Sequence, residues 1–301
     1  MEIFLSLISI YFFIFIGFLV KLKLKNELNE KSLIIMSIYF LQPMLSFWGL
    51  STKKIDLSLI QIPLYYMGIS LLCIVVSFFI AKTFFNDKKE ISIVTISSVI
   101  GNTGNLGIPI GIALFGVESI VYTSLINVAN VFIVYTIGVY FYSRGRFSIK
   151  TSLLNIIKLP LIWFALLALV LNLLNVKIPS SISTSLEMGA HAAMVLQLMI
   201  FGMFLYSIKL KTINLKLLLH VGVIKFIIIP IISITILKSL NLDEFIVGII
   251  LLELLVPLAV TNVNLASLYN CKPLDVTALI LFSSLFFIPY ILFIMQLLDK
   301  I

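Results

Sequence analysis

Apolar positions along the chain gather into long runs, and polar or charged positions fill the short gaps between them. Runs lie near 2–20, 32–50, 59–81, 91–115, 119–142, 159–175, 181–208, 214–237, 244–270 and 275–298. Each is close to the ~20 residues that a helix needs to cross a bilayer. The pattern therefore predicts an all-α integral membrane protein with ten transmembrane helices. Its organisation reads as a first five-helix repeat over 1–142, a connecting loop over 143–158 and a second repeat over 159–298. Within the loop, "TSLLNIIK" (151–158) reads as a short amphipathic segment lying on the membrane surface.

The fourth run breaks the pattern. It carries no charge from Ile91 to Val117, yet its centre reads "IGNTGNLGIPIG", with four glycines, two asparagines, a threonine and a proline. The ninth run, "LLELLVPLAVTNVNLASLY", is interrupted in the same way around Pro257. Pro109 and Pro257 stand 148 positions apart, close to the spacing between the first and sixth runs. Five spans per half is an odd number, so the second half must run upside down relative to the first. Paired interrupted helices at corresponding positions of two inverted halves are the best sequence pointer to a transporter binding site.

Composition agrees with this plan. The chain is 61% hydrophobic and 11% charged, with a mean hydropathy of +1.20, whereas a soluble domain carries roughly a quarter charged residues. The net charge of +8 sits in the loops, so it argues for orientation in a lipid bilayer and not for nucleic acid. With the N-terminus outside, fifteen lysines and arginines fall on the cytoplasmic side and five on the other. This places both termini outside a plasma membrane. Cys73 and Cys271 show neither disulfide nor metal spacing and read as packing residues.

A proline inside a helix removes a hydrogen bond and presses on the carbonyl four residues back. In hydrocarbon each freed backbone group costs several kcal/mol unless protein or water satisfies it. Asn102, Thr103, Gly104 and Asn105 in one half, and Thr261, Asn262 and Asn264 in the other, supply polar groups and backbone freedom at that depth. Pro109 and Pro257 would suit the first turns of the resumed half-helices. Exposed amides at such N-termini favour a carboxylate, while the opposing C-terminal ends offer carbonyls for a cation.

These stretches resemble the auxin efflux carrier family, part of a group with the bile-acid-symporter-like fold. The fourth-span signature Asn-x-Gly-x-x-Gly-x-Pro is matched by Asn102, Gly104, Gly107 and Pro109. The ninth-span signature is similar to Pro257, Ala259, Leu265, Ala266 and Tyr269, the second-span one to Pro43 and Phe47, and the eighth-span one to Lys225 and Pro230. The resemblance covers nearly the whole chain. It implies two inverted five-helix repeats with crossed broken helices 4 and 9, and spans one, two, six and seven set against three to five and eight to ten. It also implies transport of small organic anions, from dicarboxylates to indole-acetate-like compounds, and a homodimer is known within the group. Gln42 and His191 face the site in that plan. Asn105, Val256 and Ala193 depart from the family pattern, which bears on the substrate more than on the fold.

Four ionisable residues, at three places in the chain, are candidates for coupling. Glu253 lies four residues before Pro257, as a proton or cation group at the break or as a solvated group in an outer vestibule. Glu187 and His191 are four apart on one helical face, a spacing for a proton-linked gate or a structural histidine. Lys225 lies mid-span, either attracting a carboxylate or contacting carbonyls of a broken helix. No cofactor is implied, and coupling to Na+ or H+ is compatible with these groups. Two histidines and no intramembrane acidic pair give an enzyme no chemistry to work with. The alternative to a secondary carrier is a sensor or channel-like protein on the same fold.

Overall fold

The computed structural model describes residues 2–25, 27–143, 157–206 and 214–298. Most of the connecting loop, with Arg144, Arg146, Lys150 and nearly all of "TSLLNIIK", lies outside the described residues, as do Lys209, Lys211 and Lys300. The described chain is all helical, apart from turns and one isolated antiparallel bridge. In chain order the helices are α1 (Glu2–Leu24), α2 (Glu30–Met36), α3 (Gln42–Ser51), α4 (Leu57–Phe84), α5 (Lys88–Ser97), α6 (Ile108–Phe115), α7 (Ile120–Ile133) and α8 (Val139–Tyr142). They continue as α9 (Pro160–Leu173), α10 (Ser180–Tyr206), α11 (Leu215–Val223), α12 (Ile229–Ser239), α13 (Glu244–Leu255), α14 (Thr261–Leu268) and α15 (Pro273–Leu298). Among the described residues, five runs are long and apolar enough to cross a membrane: Ser32–Ser51, Leu59–Phe84, Val117–Tyr142, Ser180–Tyr206 and Leu215–Ser239.

Short polar loops start the helices by local chemistry. The side chains of Asn29, Asp87, Asn214 and Asp243 accept backbone N–H groups of Ser32, Lys89, Leu217 and Phe245, which would otherwise lack partners in a first turn. Prolines inside the spans are handled by a wider turn. Pro43, Pro109 and Pro230 each follow a five-residue π-helical turn, at Ser37–Leu41, Thr103–Gly107 and Ile224–Ile228. The N–H groups of Gln42 and Ile229 reach back five residues, to Ser37 and Ile224. Extra width there relieves the clash that a proline ring makes with the carbonyl four residues back.

Two compact units divide the chain. The first comprises Met1–Pro63, Gly104–Val128 and Leu154–Ser207. Its longest seam runs between α1 and α10, where small residues let backbones touch. A Cβ on Gly17 would overlap the Met199 carbonyl, and one on Gly202 would overlap the Ile14 carbonyl. Close glycine-mediated contact is how membrane helices gain dispersion energy without a hydrophobic driving force. Leu45, Trp48, Ile108, Ile120, Ala190, Ala193 and Met194 form its buried apolar cluster. Asn172 on α9 closes the end of α3, donating to Leu50 O and Lys53 O at 2.9 and 2.8 Å and accepting from Ile55 N at 2.8 Å.

The second unit comprises Leu64–Thr103, Ala129–Leu153 and Ile208–Ile301. Helices α1–α3, α9 and α10 thus group together, as do most of α4, α5, α8 and α11–α15. Gly104–Val128, from spans four and five, groups with the first unit because Ile108 and Ile120 pack into the cluster around Trp48. At one end of the second unit Lys272 bridges Asp87 at 2.8 Å and Glu90 at 2.7 Å, and Asn214 also donates to Glu90 at 3.1 Å. The Lys272 ammonium holds the Asp87 carboxyl below the usual carboxylate range. Despite some desolvation, the two carboxylates hold Lys272 above the usual lysine range.

Candidate functional site

The interrupted spans meet inside the second unit. After α5 ends at Ser97, the chain turns at Ser98 and Val99 and leaves helical structure from Ile100 to Asn102. After α13 ends at Leu255, Val256 takes φ −48° and ψ 149°, the extended geometry that a following proline enforces. The two opened segments then serve each other. Asn102 N–H donates to Pro257 O at 2.8 Å and Ala259 N–H to Ile100 O at 3.0 Å, forming the antiparallel bridge between Gly101 and Leu258. Backbone groups that could not go unpaired in hydrocarbon are thereby satisfied within the protein. Gly101 permits the approach: a Cβ there would stand 2.9 Å from Val256 Cγ2 and 3.3 Å from Glu253 O.

Side chains complete the clasp. Asn262 Nδ2 donates to Ile100 O at 3.1 Å, and Asn262 Oδ1 accepts from the Tyr142 hydroxyl, which also meets Ser97 Oγ. Asn130 Nδ2 donates to Gly101 O at 3.1 Å and to Thr103 Oγ1 at 3.0 Å, while its Oδ1 accepts from Tyr66. Leu258 N–H donates to Ser283 Oγ at 3.2 Å. Asn102 is different. Its side chain is buried, and Nδ2 has no hydrogen-bond partner among the described residues.

The expected proline roles divide. Pro109 does stand in the first turn of α6. Pro257 does not open α14; it lies in the extended link, four residues before Thr261, because its carbonyl is committed to Asn102. Thr261 begins α14 and is half-buried, whereas Asn264 is exposed. Asn102, Thr103, Pro257, Thr261, Asn262 and Asn264 all belong to the second unit.

Gln42, Pro43, Gly104, Asn105, Pro109, Glu187 and His191 belong to the first unit. There Gln42 Nε2 donates to Asn105 Oδ1 at 3.1 Å, and Gly104 leaves room for the Asn127 side chain. His191 lies with its ring 5.3 Å from that of Trp48 and its Nδ1 2.8 Å from the backbone carbonyl of Glu187. The contact is to the main chain, so the i, i+4 spacing does not here join imidazole to carboxylate.

Two charged side chains lie at the end of α13. Lys225, in the π turn between α11 and α12, is fully buried and donates to Leu254 O at 2.9 Å. That is the carbonyl contact its position suggested, at the negative end of a helix dipole. Glu253 is also fully buried, which rules out the solvated vestibule position. Neither of its carboxylate oxygens has a hydrogen-bond partner among the described residues. A groove of about 900 Å³ runs beside this region, lined by Val221, Lys225, Phe226, Leu258, Phe286 and Tyr290 among others.

A family model described as membrane transport protein matches residues 2–150 and 144–295 of the chain. The chain belongs to this family, that of the auxin efflux carriers. A relative, an uncharacterized transporter of Methanocaldococcus jannaschii, is 26% identical over 255 residues, covering 82% of each chain. Membership makes the protein a membrane transporter by family. Sequence reasoning missed Tyr66, Asn130, Tyr142 and Ser283, whose only signal was a polar group inside an apolar run.

Proposed function

We propose that the protein is a secondary transporter that moves a small organic anion across the plasma membrane by alternating access, with the paired breaks of spans four and nine as its site. The observation that carries this reading is the buried Asn102 Nδ2, without a hydrogen-bond partner among the described residues, beside a backbone clasp between two interrupted helices. An amide N–H donor kept unsatisfied in a dry interior costs about 1–3 kcal/mol, and a ligand carboxylate oxygen would recover it. The substrate class is a carboxylate, from dicarboxylates to indole-acetate-like compounds. The plan behind it is ten spans in two inverted five-helix repeats, both termini outside, in an assembly compatible with a homodimer.

Binding is the direct test. A panel of dicarboxylates and aromatic monocarboxylates is screened for thermal stabilisation of the purified protein. A true ligand at a hundredfold excess over Kd adds about 2.7 kcal/mol of apparent stability. One panel class stabilises the wild type, and Asn102→Ala loses that shift. A shift that survives in Asn102→Ala places the ligand elsewhere and removes the basis of this reading.

A further inference from the structure

Glu253 stands out among the acidic groups of the described chain. It is wholly buried in the middle of a membrane protein, both oxygens lack hydrogen-bond partners among the described residues, and its own backbone carbonyl abuts Gly101 of the opposite break. A bare carboxylate cannot persist in such a place without compensation. Its surroundings name the compensation. Lys225, from the run formed by α11 and α12, binds the next carbonyl at Leu254 and lies within electrostatic reach of Glu253. From α4, Tyr66 interacts with Glu253 and Cys73 with Lys225. From α15, Ser283 lines the groove beside Lys225, with its hydroxyl committed to Leu258 N–H and Ile280 O.

We propose that Glu253 is the coupling-proton site of the carrier, exchanging one proton between a carboxylate whose charge the nearby Lys225 balances and a neutral carboxylic acid. This deepens the transport reading and rests on it. With Glu253 ionised, the two side chains sum to zero charge and leave nothing for an anion to balance. When an oxygen of Glu253 takes a proton from the aqueous side, a net +1 remains on Lys225 close to the break. An anionic carboxylate arriving near Asn102 then returns the site to neutrality. Proton and anion cross together, one proton with one carboxylate charge. Returning the empty site requires Glu253 to release its proton first, so that the site again crosses uncharged.

A metal ion fits less well. It would need several oxygen ligands, the Leu254 carbonyl is already taken by an ammonium, and among the described residues no three His, Cys, Asp or Glu side chains gather.

The test begins without any substrate. Infrared difference spectra of the reconstituted protein are recorded across pH. A protonated buried carboxylic acid gives a carbonyl band that titrates, and the expectation is that Glu253→Gln removes it. Should Glu253→Gln fail to fold, Glu253→Asp is expected to shift the same band without abolishing it. The pH profile of labelled-anion exchange in proteoliposomes is then compared. Wild-type exchange should rise as the site protonates, and exchange by Glu253→Gln should lose that dependence. Absence of a titrating band that depends on Glu253, or a Glu253→Gln variant with the wild-type pH profile, overturns the proposal. A wild type that exchanges no anion overturns the transport reading instead, and the band then decides by itself whether Glu253 takes a proton.

Discussion

The backbone amide of Asn102 is held by the carbonyl of Pro257, 2.8 Å away, so each interrupted span is the other's hydrogen-bond partner. A proline contributes no N–H but a good acceptor, which is why an otherwise disruptive residue is tolerated at that depth. The side-chain Nδ2 of the same Asn102 has no such partner among the described residues. One residue thus supplies a structural backbone amide and, in the proposed reading, the donor that recognises the anion.

The clasp depends on Gly101 lacking a side chain. Gly101→Ala places a methyl 2.9 Å from Val256 Cγ2 and 3.3 Å from Glu253 O. Overpacking of that kind costs about 1–3 kcal/mol. A lowered apparent Tm in detergent, with weakened anion exchange, is the expected result, whereas Gly68→Ala, where no atom lies within 4 Å, leaves both unchanged.

Three asparagines should separate into two patterns. Asn262→Ala strips a donor from Ile100 O and an acceptor from Tyr142, and Asn130→Ala does the same to Gly101 O, Thr103 and Tyr66. Each should lose roughly 1–3 kcal/mol of stability. Among the described residues Asn102→Ala removes no side-chain Nδ2 bond, so its stability stays near wild type while ligand binding is lost. Thermal melts with and without ligand distinguish the two patterns.

How far the sequence reveals this arrangement depends on the residue. Apolar run length is a strong signal, so the all-helical class and the two breaks could be read directly, whereas residues 102–105 divide between the two units and Asn264 is exposed. The site was less legible where a group's role depends on its partner. Asn262 and Asn102 look alike in sequence, yet one is engaged at both ends of its amide and the other is not. Pro257 read as a helix starter because proline favours first turns. Its true place in an extended link follows from a strand-like pairing 155 residues away in the chain, which no local pattern encodes. Burial of Glu253 was equally invisible, since depth within a span does not say which way a side chain faces.

The seam between α1 and α10 makes a separate prediction. Gly17→Leu or Gly202→Leu forces a side chain into the backbone of the facing helix. Loss of apparent stability by at least ~2 kcal/mol is expected. Gly222→Leu, with open space around it, serves as the matched control and should leave the melt unchanged.

The Lys272 bridge sets a pH signature outside the membrane. Asp87 has a folded pKa below its ordinary value, so its contribution is fully present above pH ~4 and is lost as pH falls through the lowered value. Lys272 has a raised pKa, so its contribution is complete below pH ~10 and is lost as pH rises through the raised value. Between pH 5 and 9 the bridge adds a flat term, small because Asp87 is exposed. Melts of Lys272→Met against wild type should differ by a constant, small amount across that window and converge toward both extremes.

The central claim is that the paired breaks carry an anion, and solute counterflow in proteoliposomes tests it most directly. Protein is reconstituted into vesicles loaded with one unlabelled carboxylate, and uptake of the same labelled compound is followed for wild type and Asn102→Ala. The account predicts transient accumulation of one carboxylate class by the wild type and none by a folded Asn102→Ala variant. Counterflow by Asn102→Ala equal to that of the wild type would contradict it.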